Sequence, residues 1–239
     1  MVEKENLLDR LEGAAESRSM AKDFTAHVFS WMVAGLAVTG AVAWYFASSG
    51  MWQSLYTESG MSLAGWVVTL SPLAFIFGMN FAFNRLSATG ITLLFLLFSA
   101  CMGASLSYIF LVYTMGSIAQ VFLITCGTFA VMAIIGYTTN TDLTKFGSLL
   151  MMGLIGIVIA MVVNWFIGSE RLDYIISVIG VLIFTGLIAY DTQKIKNLGA
   201  AVGLEGLDGR KLAIMAATSV YLDFINLFLF LLRLLGRRD

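Results

Sequence analysis

The chain has 239 residues, of which 59% are hydrophobic and only 12% are charged, and its formal net charge at pH 7 is −1. Soluble domains are typically about 45–50% apolar and about 25% charged, so this composition predicts a protein embedded in a membrane. The chain has no basic cluster of the kind that binds nucleic acid. Cys101 and Cys126 both lie in apolar runs, so no disulfide framework is indicated.

Two regions are predicted along the chain. Residues 1–25 are rich in charge, and Leu7, Leu8 and Leu11 recur at helical spacing, which predicts a short amphipathic helix on the cytoplasmic side. Residues 26–239 form a predicted transmembrane domain, in which each span is an α-helix because hydrocarbon offers no water to the backbone. Seven apolar runs have about the 20 residues that a spanning helix requires: 26–47, 63–83, 90–113, 117–138, 146–167, 174–190 and 212–235.

The distribution of Lys and Arg predicts the orientation. Basic residues are concentrated in the amino-terminal region and in the connection between spans 6 and 7, whereas the loops after spans 1 and 3 have none. This pattern places the amino terminus in the cytoplasm and the carboxyl terminus outside. The basic tail at Arg237 and Arg238 favours the opposite side, so a seventh segment that dips into the membrane and returns is a second interpretation.

Two further expectations concern polar groups and proline inside the spans. Ser71-Pro72 predicts a kink in span 2, because proline cannot continue the helical hydrogen-bond ladder. Asn80, Gln120 and Asn164 are expected to be buried amides that tie neighbouring helices together.

The residues that point to chemistry are two acidic groups in the last two spans. Asp223 lies near the middle of span 7, where an unpaired carboxylate costs about 2.5–3.5 kcal/mol on insertion scales. We therefore expect span 7 to be central, with the other spans packed around Asp223. Ser219 and Asn226 lie on the same helical face and form a supporting polar stripe.

Asp191 ends span 6 and is the predicted partner of Asp223. Two like charges ~4 Å apart repel by ~4 kcal/mol at an effective dielectric of about 20. If the two carboxylates meet, they would share one proton near neutral pH and titrate as a unit. The alternative is that neutral donors hold Asp223 while Asp191 is solvated at the membrane edge.

Arg85 lies at the inner end of span 2, on the side predicted for Asp191. It is a candidate for an ionic latch that closes the inner mouth, or simply an arginine that sets the topology.

The carboxyl-terminal sequence resembles the signature of the Bax inhibitor family, the transmembrane Bax inhibitor motif proteins, and is most similar in length to bacterial members. The resemblance rests on YDTQKI at 190–195, SVYLDFINLF at 219–228 and LLRLLG at 231–236. It implies an all-α membrane fold of seven transmembrane helices, with the last helix surrounded by the other six. It also implies a pH-sensitive calcium leak in which Asp191 and Asp223 sense pH and Arg85 matches the family's latch.

The implied partners are calcium ions, protons and the lipid bilayer, with no nucleic acid and no resident cofactor. Asp191 and Asp223 would form a weak calcium site, because calcium prefers six to eight oxygen ligands and two carboxylates supply few of them. The protein is expected not to be an enzyme, and to lie in a bacterial inner membrane.

Two other functions remain open. The first is a regulatory or binding protein that modulates a membrane protease or another channel. The second is an intramembrane aspartyl protease, for which Tyr190-Asp191 and Asp223 fit the outline. Where that family has Gly-x-Gly-Asp, this chain has Tyr221-Leu222-Asp223, and the Pro-Ala-Leu motif is absent because the single proline is Pro72.

Overall fold

The computed structural model describes residues 2–57, 60–204 and 206–238, apart from the side chains of residues 2–10 and Leu207. The predicted amphipathic side chains of Leu7 and Leu8 lie outside the described side chains. The helices of this part of the chain are α1 (Val2–Ser48), α2 (Leu63–Ala82), α3 (Ala88–Leu106), α4 (Ile109–Val112), α5 (Met115–Thr138), α6 (Thr144–Ile167), α7 (Glu170–Val202) and α8 (Gly206–Leu235). A 3₁₀ turn at Met51–Leu55 and a small hairpin of β1 (Tyr56–Thr57) and β2 (Gly60–Met61) connect α1 to α2.

Seven helical segments in the described part of the chain are long and apolar enough to span a membrane, which confirms the predicted fold class. The third of them, Ala88–Val112, combines α3 with the short α4. α1 runs without a break across residue 25, so the predicted amphipathic segment and the first span form one helix. Its 47 residues measure about 70 Å at 1.5 Å per residue, more than the bilayer requires.

The last helix is the centre of the bundle. α8 packs against α1, α3, α5 and α7, while α2 lies on α3 and α6 lies on α7. A chain of hydrogen bonds crosses this centre: the buried Tyr221 hydroxyl lies 2.7 Å from the hydroxyl of Thr39, which donates to the carbonyl oxygen of Ser99. Because Thr39 uses its proton on Ser99, Tyr221 is the donor in the first bond, and the chain joins α8, α1 and α3.

α8 crosses the whole bundle. The second interpretation, in which the seventh segment dips into the membrane and returns to the same side, is therefore wrong. Near its beginning, Lys211 donates to the carbonyl oxygen of Phe83 after α2. Beyond its end, the backbone of Arg237 bonds Thr114, between α4 and α5, and Ser117, in the first turn of α5. These two loops lie at opposite ends of the Ala88–Val112 segment. α8, a continuous helix of 30 residues, runs from one to the other.

Proline is accommodated inside α2, which continues through Pro72 from Leu63 to Ala82. Pro72 has no N–H to donate to the carbonyl oxygen of Val68, four residues earlier. The Ser71 hydroxyl donates to that oxygen instead, at 2.8 Å. The Ser-Pro pair thus satisfies the carbonyl that the proline leaves without a partner.

The three amides have different positions from those expected. Asn80 is exposed and donates to Ile76 of its own helix, and Gln120 is also exposed. Asn164 accepts from the backbone N–H of Ser169 and so closes the turn between α6 and α7. The expectation of interhelical amides is wrong, because Asn80 and Asn164 bond nearby backbone groups and Gln120 is exposed.

α5 approaches α7 very closely at Gly136. A Cβ atom at this glycine would lie 2.2 Å from the carbonyl oxygen of Ala189, two residues before Asp191. Only hydrogen fits between the two backbones at this point, so Gly136 sets the distance between α5 and the carboxyl-terminal half of α7.

We expect Gly136→Ala to lower the thermal stability of the protein, by about 1–3 kcal/mol of overpacking, because backbone atoms must move apart. Gly127→Ala on the same helix is the matched control, since no atom lies within 4 Å of a Cβ there. Thermal unfolding in detergent measures both. Equal melting temperatures for the two variants would contradict the proposed close contact.

Candidate functional site

The two acidic residues of the last two spans lie side by side. Asp191 on α7 and Asp223 on α8 are 8% and 7% exposed. Their carboxyl groups are within hydrogen-bonding reach of each other. The Ser219 hydroxyl, also on α8, donates to Oδ2 of Asp191 at 2.5 Å. The bend of the chain between α7 and α8 makes these helices antiparallel neighbours, which brings groups 32 positions apart into contact.

The buried Oδ2 atom of Asp223 has no hydrogen-bond donor among the described residues other than the neighbouring acid. Two carboxyl groups can form a hydrogen bond only when one of them carries a proton. The geometry is therefore suited to a pair that holds one proton between two acids and that carries a single negative charge.

The pair opens onto a cavity of about 520 Å³ between α6, α7 and α8. Ser219, Asp223 and Asn226 line it from α8, so the predicted polar stripe faces this cavity. Asn226 donates to Leu222 of its own helix, which leaves its carbonyl oxygen as an acceptor. Apolar side chains form much of the remaining wall: Leu154, Ile157, Phe184, Leu187 and Phe230.

Arg85 is not part of this cluster. Its side chain is exposed, and its guanidinium lies 4.5 Å over the ring of Phe81, one turn earlier. Among the described residues, the ion pairs are Lys211–Asp208 and Arg233–Asp173, and neither involves Arg85. The latch role of Arg85 and the sensing role of the acidic pair stay predictions.

Lys194 is a cavity residue that the sequence predicted only as one of the basic residues between spans 6 and 7 that set the orientation. It lines the main cavity together with Asp191 and Ser219, and the same three residues line a second cavity of about 280 Å³ toward the end of α7. They therefore separate the two spaces. The spacing i, i+3 from Asp191 on one helix is the signal that places Lys194 beside it.

Gln193, also missed, fastens the loop between α5 and α6. Its amide nitrogen donates to the carbonyl oxygen of Thr141, and its amide oxygen accepts from the N–H of Leu143, both at 2.8 Å. Lys196 adds a bond to the carbonyl oxygen of Tyr137 at 2.7 Å. Within the loop, hydrogen bonds from Thr144 lower the pKa of Asp142. The 190–195 motif thus combines an acid, Asp191, that faces the cavity with a glutamine, Gln193, that holds the adjacent loop.

The fold and the site define a polytopic α-helical membrane protein with a carboxyl pair on its last two helices. The sequence model of the family described as "Inhibitor of apoptosis-promoting Bax1" matches residues 21–239. The chain therefore belongs to the Bax inhibitor family, which confirms the resemblance of the carboxyl-terminal spans.

Relatives of similar length occur in bacteria. The inner membrane protein YbhL of Escherichia coli K12 is 43% identical over 230 residues, which cover 96% of this chain and 97% of YbhL. An uncharacterized protein of Borreliella burgdorferi is 43% identical over 215 residues, which cover 90% of this chain and 92% of the relative. The chain is thus similar to bacterial members over nearly its whole length.

Gln193→Ala removes both hydrogen bonds to the α5–α6 loop. We expect the amide of Leu143 to exchange about fivefold faster, because it loses one hydrogen bond worth about 1 kcal/mol, and 1.4 kcal/mol corresponds to a factor of ten. Hydrogen–deuterium exchange of a peptide that covers residues 139–146 measures this effect. Gln120→Ala, at an exposed glutamine on α5, is the control. Unchanged exchange in Gln193→Ala would contradict the fastening role.

Proposed function

We propose that this protein is a pH-sensitive calcium leak channel gated by the Asp191–Asp223 pair. The observation that carries the proposal is the contact of two buried carboxyl groups in a cavity between membrane-spanning helices. A buried acid pair is expensive in an apolar bundle. Its placement beside a cavity of about 520 Å³ favours a role with ions over a purely structural one.

In the proposed closed state the two carboxyl groups hold one proton. The shared proton bonds Asp191 to Asp223, and the Ser219 hydroxyl donates to Asp191. α7 and α8 are then held together, and the acidic pair carries one negative charge in a cavity with mostly apolar walls. A divalent cation would give up its hydration for few oxygen ligands there, so passage is unfavourable.

Raising the pH removes the shared proton. Two carboxylates ~4 Å apart repel by ~4 kcal/mol at an effective dielectric of about 20, which works against the closed contact. The same two charges attract a calcium ion. We therefore infer that the leak increases with pH as the pair loses its proton.

Calcium is the transported ion in this proposal. The described residues contain no group of three or more His, Cys, Asp or Glu side chains that could hold a metal ion. Two carboxylates, the Asn226 amide oxygen and water would make a weak site for an ion that prefers six to eight oxygens. Weak binding suits passage, because an ion must leave as readily as it enters. The proposal requires no resident cofactor.

The proposed orientation places the amino terminus in the cytoplasm of a bacterial cell and the carboxyl terminus outside the inner membrane. The cavity end at Lys194 then faces the cytoplasm. Arg85, at the same end as Lys211, would act as a latch only after leaving the ring of Phe81. In this proposal the acidic pair moves ions and breaks no covalent bond, so the protein is not an enzyme.

Purified protein in liposomes tests the proposal. We expect calcium to enter protein-containing liposomes faster than empty ones, with a rate that rises with pH around neutrality. Asp191→Asn and Asp223→Asn remove one acid each, so each variant should lose the pH dependence. Asp173→Asn, at a partly exposed acid that pairs with Arg233, is a control that retains it.

Three results would contradict this proposal. A pH response that persists in both variants would refute the gating pair, whatever the size of the flux. Absence of calcium flux at every pH would refute the channel. Cleavage of a fluorogenic peptide that either substitution abolishes would instead identify an aspartyl protease.

Lys194→Gln should raise the calcium flux severalfold. The substitution removes a positive charge from the partition between the two cavities, and that charge repels the entering cation. The pH dependence should remain, because both acids remain. Lys145→Gln, at an exposed lysine outside these cavities, is the control. A flux equal to that of the control would contradict an electrostatic role for Lys194.

A further inference from the structure

A cavity remote from the acidic pair lies between the amino-terminal parts of α3 and α8 and the side of α1. Its volume is about 500 Å³, and its walls include His27, Trp31, Thr89, Thr92, Arg210 and Ile214. It shares no lining residue with the cavity of Asp191 and Asp223. An inference about this cavity therefore stands independently of the proposed channel.

The polar groups of this cavity are suited to an anion. Arg210 lines it and forms no ion pair with a carboxylate in the described part of the chain. The neighbouring Asp208 lies 3.7 Å from Lys211 instead. No acidic residue is among the lining side chains of the cavity. A guanidinium in such surroundings has a positive charge and a planar fork of donors that matches a phosphate group.

His27 supplies a second donor. The indole N–H of Trp31 donates to Nε2 of His27 at 3.0 Å. In the neutral ring the proton is then on Nδ1, because one nitrogen of a neutral imidazole donates when the other accepts. The Thr89 hydroxyl adds a neutral polar group to the same wall. The Thr92 hydroxyl donates to Ala88 of its own helix, so it offers only acceptor capacity.

The cavity also has an apolar side, and it lies at the end of the helix bundle where α3 and α8 begin. Trp31, Leu204 and Ile214 contribute apolar wall. Ala88 begins α3, and Leu204 lies in the connection just before α8, so the cavity lies where the helices reach the membrane surface. Tryptophan is enriched at this depth, and basic pockets between transmembrane helices bind anionic lipid head groups. An amphipathic ligand matches both sides of the cavity.

We propose that this cavity binds the phosphate group of an anionic phospholipid. Arg210 is the ionic contact, and Nδ1 of His27 and the Thr89 hydroxyl are hydrogen-bond donors. Trp31 and Ile214 pack against the glycerol and the first methylene groups of the lipid. The site fastens α1, α3 and α8 to one another through a lipid at the surface of the bilayer.

The experiment uses the full-length protein, delipidated in detergent and titrated with phosphatidylglycerol or phosphatidylcholine in mixed micelles. Native mass spectrometry counts the retained lipids, and the melting temperature reports stabilisation. We expect phosphatidylglycerol to bind and to stabilise the protein, and phosphatidylcholine to do so at least tenfold more weakly. Arg210→Gln should weaken phosphatidylglycerol binding tenfold or more, and Arg210→Lys, which keeps the charge without the fork, should be intermediate.

Arg18→Gln is the matched control, because Arg18 is exposed on α1 near the same bundle end and lines no part of this cavity. If Arg18→Gln and Arg210→Gln lose phosphatidylglycerol binding equally, the lipid is attracted to positive charge in general, and the proposed site is overturned. Unchanged binding in Arg210→Gln would overturn it too. Stabilisation by inorganic phosphate that depends on Arg210, without stabilisation by the lipid, would assign a free phosphate ligand and refute the lipid.

Discussion

The contact between Asp191 and Asp223 is the interaction on which the arrangement of this bundle depends. A carboxylate in the middle of a membrane-spanning helix costs several kcal/mol unless another group satisfies it. α8 carries such a group, so it cannot face lipid there and is enclosed by α1, α3, α5 and α7. The acid of α7 supplies a partner for Asp223, whose buried Oδ2 atom has no other donor among the described residues.

Close packing around α7 and α8 holds that contact in place. Gly136 lets the backbone of α5 reach Ala189 of α7, and Gly180 of α7 receives the ring of Phe230 of α8, so small residues let α7 approach both of these helices closely. Gln193 and Lys196 then attach the α5–α6 connection to the end of α7. The 190–195 motif therefore places Asp191 while its neighbours fix the surrounding backbone.

The two sites discussed above have opposite character. The cavity between α6, α7 and α8 contains a pair of acids and suits cations and protons. The cavity between α1, α3 and α8 contains Arg210 and His27 and suits an anion. α8 contributes to both, from its middle and from its first turns. A lipid bound at the surface end of α8 would thus contact the helix that carries the proposed proton-sensing acid.

The sequence by itself determined the class of this protein, because the thickness of the bilayer sets the length and the apolar composition of a spanning helix. The cost of burying Asp223 also placed α8 at the centre, and the motifs at 190–195 and 219–228 identified the family. Local hydrogen bonding was harder to predict: Asn80 and Asn164 look like interhelical groups in the sequence but bond nearby backbone. Only the tertiary structure decided that α8 crosses the bundle completely, that Lys194 separates two cavities, and that Arg85 lies against Phe81. Those features depend on how distant helices pack in three dimensions, and helical spacing reports only which residues share a face.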